Sequence, residues 1–224
     1  MIDPVLDFDG ASGTPSTGSA DRVARFLEEE RIRTPYVLDT HADAGHLSAL
    51  PVFEDRFGAQ TAIGAGIVDV QRTFRDLFNL GDDLPTDGRQ FDRLLADGEK
   101  LDLGPFALEA LHTSARMSYR IEDAVFIGDT LFRPDYGTAR CDVPDGSAAA
   151  WSESIQGLYR RFPAETRLFT GHDDGAGGRE LAYESTLGEQ REANVRAGAF
   201  PEPEENGRSY LKIPLNAFAQ GSPS

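Results

Sequence analysis

Five side chains of types that bind metal ions follow apolar segments of the sequence. His41, Asp43 and His46 share the segment LDTHADAGHLSAL, Asp129 follows AVFIG, and His172 follows RLFTG. Imidazole and carboxylate groups are ligands that zinc and iron take. A separation of five residues along a loop lets the first two histidines approach one ion or two adjacent ones. Residue types and spacing therefore indicate a metal centre, with hydrogen-bonded structural histidines as the alternative.

These side chains stand where predicted strands end. PYVLD predicts a strand that runs into the loop of His41 and His46, VFIG predicts one that ends at Asp129, and RLFTG one that ends at His172. Loops at strand ends are where a rigid scaffold presents chemical groups. The three strand ends could therefore converge.

The rest of the chain predicts an alternation of strands and helices. VLDFD reads as a strand, GASGTPSTGSA as a polar loop, and Val23, Phe26 and Leu27 then recur at helical spacing. Further predicted strands are TAIGAG, FALEALHT, SYRIED and AVFIGDT, and further predicted helices begin near Leu47, Ile67, Trp151 and Ala182. Several αβ units with a β-rich middle predict layered sheets flanked by helices. We expect a single domain over residues 1–224, with 219–224 as a flexible tail.

Composition restricts the partners and the compartment. The 224 residues include 22 basic and 38 acidic side chains, for a net charge of −16. This balance argues against nucleic acid or an anionic membrane surface as a partner, because phosphate contacts need clustered Lys and Arg. One cysteine rules out an internal disulfide and indicates a reducing compartment. With neither a membrane-spanning apolar run nor a signal peptide, the sequence predicts a soluble cytoplasmic protein.

Six motifs occur in an order and spacing typical of one family. They are DTHADAGHLSA, FIGDTLF, DYGTARCDVP, LFTGHD, STLGEQR and PEPEENGRSYLKIPLN. The sequence resembles the metallo-β-lactamase superfamily, in particular its persulfide dioxygenase and glyoxalase II-like branch. The resemblance implies an α/β fold, the αββα four-layer sandwich, with a metal site at one edge of its two sheets. The sequence also departs from the family in two places. The family's leading β-hairpin is not expected before MIDPVLDFD, and the family's helical insert is not expected at GEQREANVRAGAF.

The family's metal-binding loop reads H-x-H-x-D-H. On this pattern His41 stands at the first histidine, Asp43 at the second, Gly45 at the aspartate and His46 at the last histidine. The histidine of the family's T-P-G-H-T-P turn is absent, and Arg116 stands nearest to its place. An arginine beside a metal ion opposes binding by charge repulsion, which the carboxylate of Asp43 would offset.

The resemblance also implies which metal chemistry remains. Asp129 matches the family's metal-bridging aspartate and His172 its final histidine. Of the two-histidine, one-carboxylate triad that holds Fe(II) in persulfide dioxygenases, His41 and Asp129 remain. A second set, His46, His172 and Asp129 with Asp43 or His41 as the fourth ligand, could hold one Zn²⁺ or Fe²⁺ and activate water. If metal binds, we expect Asp43 among its ligands; a metal-free loop is the alternative.

Three further residues have two interpretations each. Arg140, in YGTARCD, resembles the arginine that holds the glutathione carboxylate, and a surface ion pair is the alternative. Cys141 is either a packed cysteine or, with its thiolate stabilised by Arg140, a reactive one. His112 is expected to be a structural residue at a strand end rather than a ligand.

The sequence thus predicts a metal-dependent hydrolase or persulfide dioxygenase that acts on a small glutathione-like thiol or thioester. Its cofactor would be one divalent ion, zinc or iron, and the lost ligands would impair its activity. The alternative is a non-catalytic binding or scaffolding protein with the same fold. Neither hypothesis involves nucleic acid or a membrane, and both leave homo-oligomer formation open.

Overall fold

The computed structural model describes residues 1–43, 45–114, 116–139 and 147–195, together with the backbone of 201–205 and 208–211. The chain divides into two compact units, Met1–Glu122 and Asp123–Ser224. The predicted single domain over residues 1–224 stays a prediction.

The first unit combines helices with parallel and antiparallel strands. Its helices are α1 (Gly18–Glu29), α2 (Leu50–Phe57) and α3 (Ile67–Leu77). Its strands are β1 (Asp7–Asp9), β2 (Thr14–Ser16), β3 (Tyr36–Leu38), β4 (Gln60–Gly64), β5 (Arg93–Leu95), β6 (Lys100–Asp102), β7 (Ala107–Thr113) and β8 (Arg116–Ile121).

A parallel sheet in the order β3-β4-β5 forms the centre of this unit. Val37 and Leu38 of β3 are fully buried, as the apolar run PYVL predicts. Ile2 forms a parallel bridge with Leu38, so the start of the chain lies along the edge of β3. The carboxyl ends of these parallel strands therefore meet at one edge. The loop that carries His41 and His46, called the first histidine loop below, begins at this edge.

Helices α1 and α2 pack on a shared apolar cluster. The buried members of this cluster are Ala20, Ala24, Leu27, Val37, Ala49, Leu50, Phe53 and Ala59. Of the predicted inner face of α1, only Leu27 is buried, since Val23 and Phe26 are exposed. Small alanines let the helix approach closely, and this is why the largest apolar residues did not identify the buried face.

The strands β6, β7 and β8 follow as an antiparallel meander. Tyr119 of β8 is fully buried and its hydroxyl donates to the carbonyl oxygen of Asp39 at 2.7 Å. The amide of Met117 donates to the carbonyl oxygen of Thr40 at 2.9 Å. These bonds fix β8 against the backbone that carries the first histidine loop.

The second unit contains β9 (Ala124–Gly128), α4 (Ala148–Arg161), β10 (Arg167–Thr170), β11 (Glu184–Thr186), α5 (Leu187–Ala193) and a hairpin of β12 (Pro201–Glu205) and β13 (Arg208–Leu211). Strand β10 pairs parallel with β9 and antiparallel with β11. Trp151, Ile155 and Leu158 form the buried face of α4, as their spacing predicts. The Asp129 and His172 segments thus leave neighbouring parallel strands at the same edge.

Several elements differ from the sequence predictions. Part of the predicted loop GASGTPSTGSA is β2, the second strand of a hairpin. The predicted last helix begins only at Leu187, where the Thr186 hydroxyl and the Glu189 carboxylate form a capping box, and the residues before it form β11. Within the described residues the longest α-helix has 14 residues, and none is long and apolar enough to cross a bilayer.

Candidate metal centre

The first histidine loop leaves β3 on a firmly held backbone. The amide of Asp39 donates to the carbonyl oxygen of Ala62 at 3.1 Å, which extends the pairing of β3 with β4 by one residue. The amide of Thr40 donates to the Asp3 carboxylate at 2.7 Å. Asp39 and Thr40 are 2% and 1% exposed. His41 therefore begins the loop from a fixed position.

A hydrogen-bond relay orients the imidazole of His41, which is only 4% exposed. The Thr40 hydroxyl donates to the Asp3 carboxylate at 2.8 Å and lies 2.7 Å from Nδ1 of His41. A hydroxyl has one proton, and while that proton is donated to the ionised carboxylate of Asp3, the hydroxyl oxygen accepts from Nδ1–H. The lone pair of the neutral ring then lies on Nε2. A second hydrogen-bonding partner that fixes the tautomer in this way is typical of metal-binding histidines.

His46 has a comparable carboxylate partner. Its Nε2 lies 3.2 Å from Oδ1 of Asp39, and both side chains are buried. The amide of His46 donates to the carbonyl oxygen of Asp43 at 3.0 Å, which closes the loop into a turn. The rings of His41 and His46 are 5.3 Å apart between centroids. The turn thus brings the two predicted ligands of this loop together.

Asp3 joins this group from the start of the chain. Asp3, Asp39 and His46 each place one ligand atom within 4.8 Å of the ligand atoms of the other two. This spacing is close enough for a shared metal ion. Burial raises the pKa of Asp3 from its ordinary value, although its bonds to Thr40 and the neighbouring imidazoles act in the opposite direction. Neither Asp3 nor Asp39 was predicted as a site residue.

Asp43 forms an ion pair with Arg116. The guanidinium of Arg116 donates to Oδ2 of Asp43; the arginine side chain is 6% exposed and the carboxylate 36%. The expected charge compensation between these two residues is therefore present. Asp43 as a metal ligand stays a prediction. Arg116 also lines a cavity of about 20 Å³ with His41 and His112, which has room for about one water molecule.

In the second unit, Asp129 and His172 form a close pair. Nδ1 of His172 lies 2.6 Å from Oδ1 of Asp129, with the carboxylate 13% exposed and the imidazole 38%. The backbone packs tightly here, since a Cβ added to Gly171 would lie 2.9 Å from Oδ1 of Asp129. Gly128 has φ of 49°, a left-handed conformation that glycine adopts without strain. These glycines set the approach of the two side chains.

Arg179 fastens the loop that follows His172. Its guanidinium makes two bonds of 2.6 Å to the carboxylate of Asp173 and two, of 2.6 and 2.9 Å, to that of Asp135. These bonds lower the pKa of both carboxyl groups and raise the pKa of Arg179. The amide of Ala182 also donates to Asp173 at 2.7 Å. The position of the His172 loop thus depends on a charged network beneath it.

The sequence also predicted roles for His112, Arg140 and Cys141. His112 lies in β7 next to its last residue, so its expected strand-end position is confirmed. Arg140 and Cys141 lie outside the described residues. Asp3, Asp39 and Thr40 were not predicted from the sequence. The polar DT step between PYVL and His41 was a signal for Asp39 and Thr40, and Asp3 had no local signal.

Comparison with known proteins identifies the class. A family model described as the metallo-beta-lactamase superfamily matches residues 1–172. The chain belongs to this superfamily, as its motifs predicted. It is 34% identical to Glyoxylase B2 of Dictyostelium discoideum, over 98% of this chain and 89% of that protein. This relationship agrees with the predicted glyoxalase II-like branch.

A second relative is longer than this chain. The chain is 41% identical to the beta-lactamase hydrolase-like protein of Xylella fastidiosa, over 97% of this chain and 59% of that protein. The chain therefore spans little more than half the length of this relative. The aligned stretch has 257 residues, more than the 224 of the chain, so internal segments of the relative have no counterpart here. This agrees with the predicted internal deletions.

The fold is confirmed by a solved structure. ETHE1 from Myxococcus xanthus superposes with a TM-score of 0.67 at 23% identity, over 88% of this chain and 73% of that one. At this level of identity the likeness concerns the fold alone. The predicted α/β metallo-β-lactamase fold is therefore correct.

The donor groups of the first histidine loop fit one divalent ion. His41 and His46 are buried, adjacent and oriented by oxygen partners, as ligating imidazoles are. By contrast, Asp43 stands where the family loop has its second histidine, and Arg116 stands nearest to the family's turn histidine. These two side chains bond each other. A guanidinium has no lone pair to give to a metal, so the turn position supplies no ligand for a second ion. The residues present therefore suit one ion better than two.

Proposed function

We propose that this chain is a metal-dependent hydrolase that cleaves a thioester of a small, glutathione-like thiol. One Zn²⁺ or Fe²⁺ would be held by His41, His46, Asp129 and His172, as the family resemblance implies. The observation that carries the proposal is the relay from Asp3 through Thr40 to His41. A hydrogen-bond relay that fixes the tautomer of a buried imidazole is what a ligating histidine needs.

When bound, a divalent ion would polarise the thioester carbonyl and lower the pKa of a water molecule. In hydrolysis the oxygen of water joins the acyl carbon, the carbon–sulfur bond breaks, and the departing thiolate takes up a proton. The products are a carboxylic acid and a thiol. In this chain the hydroxyl of Thr40 would hold His41 in position, and the carboxylate of Asp39 would do the same for His46.

Hydrolysis is favoured over dioxygen chemistry because of Arg116. The dioxygenase triad needs a third ligand at the turn position, where this chain has an arginine bonded to Asp43. Hydrolysis needs one ion with an open position for water, and the remaining histidines and Asp129 can supply its ligands. The name of the Xylella relative, a hydrolase-like protein, supports the same choice.

Two other functions remain as outcomes of the test. A persulfide dioxygenase is supported by the two triad residues that are present, His41 and Asp129. A non-catalytic binding protein is supported by the Asp43–Arg116 pair, which fills ligand positions with a structural contact. Arg140 is proposed to hold the carboxylate of the thiol in either enzyme.

Turnover distinguishes these functions. The purified chain, reloaded with Zn²⁺ or Fe²⁺, would be assayed for thiol release from acyl-glutathione thioesters and for oxygen uptake with glutathione persulfide. We expect thiol release that is lost in His41→Ala and kept in His112→Ala. Oxygen uptake without thiol release would favour the dioxygenase, and neither activity with either metal would favour the binding protein.

A further inference from the structure

A cleft of about 510 Å³ opens beside His41 and His46, within the first unit. This volume is within the usual range for small-molecule sites, about 300–1,000 Å³. Its lining comes from the first histidine loop, from α2 and α3, and from the segment before β5. The cleft therefore adjoins the predicted metal ligands, and Asp39, His41, Asp43 and His46 form part of its lining.

One wall of the cleft is apolar and already packed. Leu50 is 3% exposed and belongs to the core cluster, and Phe91 packs against that cluster from the side. Phe74 stacks on Phe78 with 5.7 Å between ring centroids and 2° between ring planes. Together with Pro51 these residues present a surface that needs little rearrangement to receive an apolar group.

The polar lining groups are largely engaged with other parts of the protein. The Thr61 hydroxyl lies 3.2 Å from the Asp92 carboxylate and accepts the amide of Asp92 at 3.0 Å. The side-chain amide of Gln90 accepts from Gln71 at 2.9 Å and donates to a backbone carbonyl oxygen. These groups therefore offer little to a charged ligand.

The charges of the lining are acidic. It contains three carboxylates and neither Lys nor Arg, and all its residues are described ones. Asp39 is bonded to His46, and Asp43 to Arg116. For Glu54, exposed on α2, the described residues show no ion pair. The side chains that line the cleft thus offer a ligand carboxylate no lysine or arginine partner.

From this combination we propose that the cleft binds the acyl chain of the thioester, and that this chain is apolar and ends without a carboxylate. The proposal rests on the proposed function for the identity of the reaction. The apolar wall stabilises methylene groups, each by about 0.8 kcal/mol or nearly fourfold in affinity. Glu54, at the exposed side of the cleft, repels an anionic end of the chain, because two like charges at short distance oppose each other. Glu54 is therefore a specificity-determining residue.

Two matched pairs of probes test this. Binding would be measured by calorimetry with S-hexylglutathione and S-(5-carboxypentyl)glutathione, which cannot be hydrolysed and differ only at the end of the chain. Hydrolysis would be measured with the hexanoyl and adipoyl thioesters of glutathione. We expect the uncharged probe to bind about tenfold more tightly. The same ratio should appear in kcat/KM, mainly through KM.

Four variants assign the effect. Glu54→Gln should bring the two affinities together, and Glu54→Lys should reverse their order. Asp55→Asn, on the next residue of α2 and outside the cleft lining, should leave the ratio unchanged. Phe91→Ala should weaken the hexyl probe about tenfold.

The binding and turnover results separate the two proposals. Selective binding without hydrolysis would sustain this inference and contradict the proposed function. Hydrolysis of both thioesters at equal rates would sustain the function and overturn the inference. Equal binding of the two thioethers, or binding of neither, would also overturn it.

Discussion

At the scale of single residues, the most informative contact is the ion pair between Asp43 and Arg116. Both residues depart from the histidines of the family pattern, and in this chain they bond each other. Random loss of two histidines would not be expected to leave side chains of opposite charge in contact. The pair therefore indicates that this contact holds the loop in place. The loop of His41 and His46 would thus be closed by a salt bridge that needs no metal.

Removing one partner of this pair should destabilise the protein. We expect Asp43→Asn to lower the free energy of unfolding by about 1–2 kcal/mol, because the guanidinium is buried while solvent partly screens the carboxylate. Arg116→Met should cost less, because a methionine can pack in the same space. Urea unfolding of both variants and of the double variant would give the coupling energy. The exposed pair Arg72–Asp69 is the control, with an expected coupling near zero; an equally small value for Asp43–Arg116 would contradict this account.

Tyr119 gives a prediction for alkaline pH. Burial raises its pKa well above the ordinary value of 10.0, so the folded protein keeps the phenol protonated where the unfolded chain ionises. The unfolded state then binds fewer protons, and stability falls as pH rises above about 10. Tyr119→Phe should cost about 1 kcal/mol at neutral pH, through the lost bond to Asp39. Above pH 10 this difference should shrink by about 1.4 kcal/mol per pH unit.

Unfolding curves of the parent and of Tyr119→Phe at pH 7, 9, 10 and 11 would check this. The other tyrosines are common to both proteins and cancel in the difference. A difference that stays constant with pH would mean that Tyr119 ionises in the folded state as easily as in the unfolded one.

At the scale of elements, the parallel strands place the site. The predicted strands PYVLD, TAIGAG and RLFTG are present, because runs of apolar residues before a polar loop are typical of buried parallel strands. Strands β5 and β6 were not predicted. Each has three residues with a charged member, which is too short for an alternating pattern to be recognised.

The sequence predicts some of the site residues and not others. His41 and His46 were predicted from their type and spacing within one loop. Asp3 was not, because its bond to Thr40 joins residues 37 positions apart and depends on the pairing of Ile2 with Leu38. Partners that hold a ligand in position depend on tertiary structure, and a motif specifies only the ligands themselves.

The end of β10 offers a test of the second pair. In Gly171→Ala the new methyl group would lie 2.9 Å from Oδ1 of Asp129, so the carboxylate or the strand must shift. We expect metal affinity to fall about 10- to 100-fold, as it does when groups that orient ligands are changed. Gly157→Ala is the matched control, since a Cβ there meets no atom within 4 Å. Metal titration of both variants would show the difference; equal affinities would indicate that Asp129 does not contribute to metal binding.

At the scale of the whole molecule, the chain keeps the family fold while lacking segments of its relatives. The superposition with ETHE1 covers 88% of the chain, and the alignment with the Xylella relative contains more residues than the chain has. The fold therefore tolerates the loss of internal segments, as expected when the lost residues lie in connections rather than in the core. Whether the chemistry also survives depends on the ligands that remain.

Metal content tests the central claim most directly. The chain would be purified without chelators, reloaded separately with Zn²⁺ and Fe²⁺, and analysed for metal per polypeptide. We predict about one ion per chain, lost in His41→Ala, His46→Ala and His172→Ala but kept in His112→Ala. Trace metal in the parent protein after reloading, or a full ion in the His172→Ala variant, would contradict it.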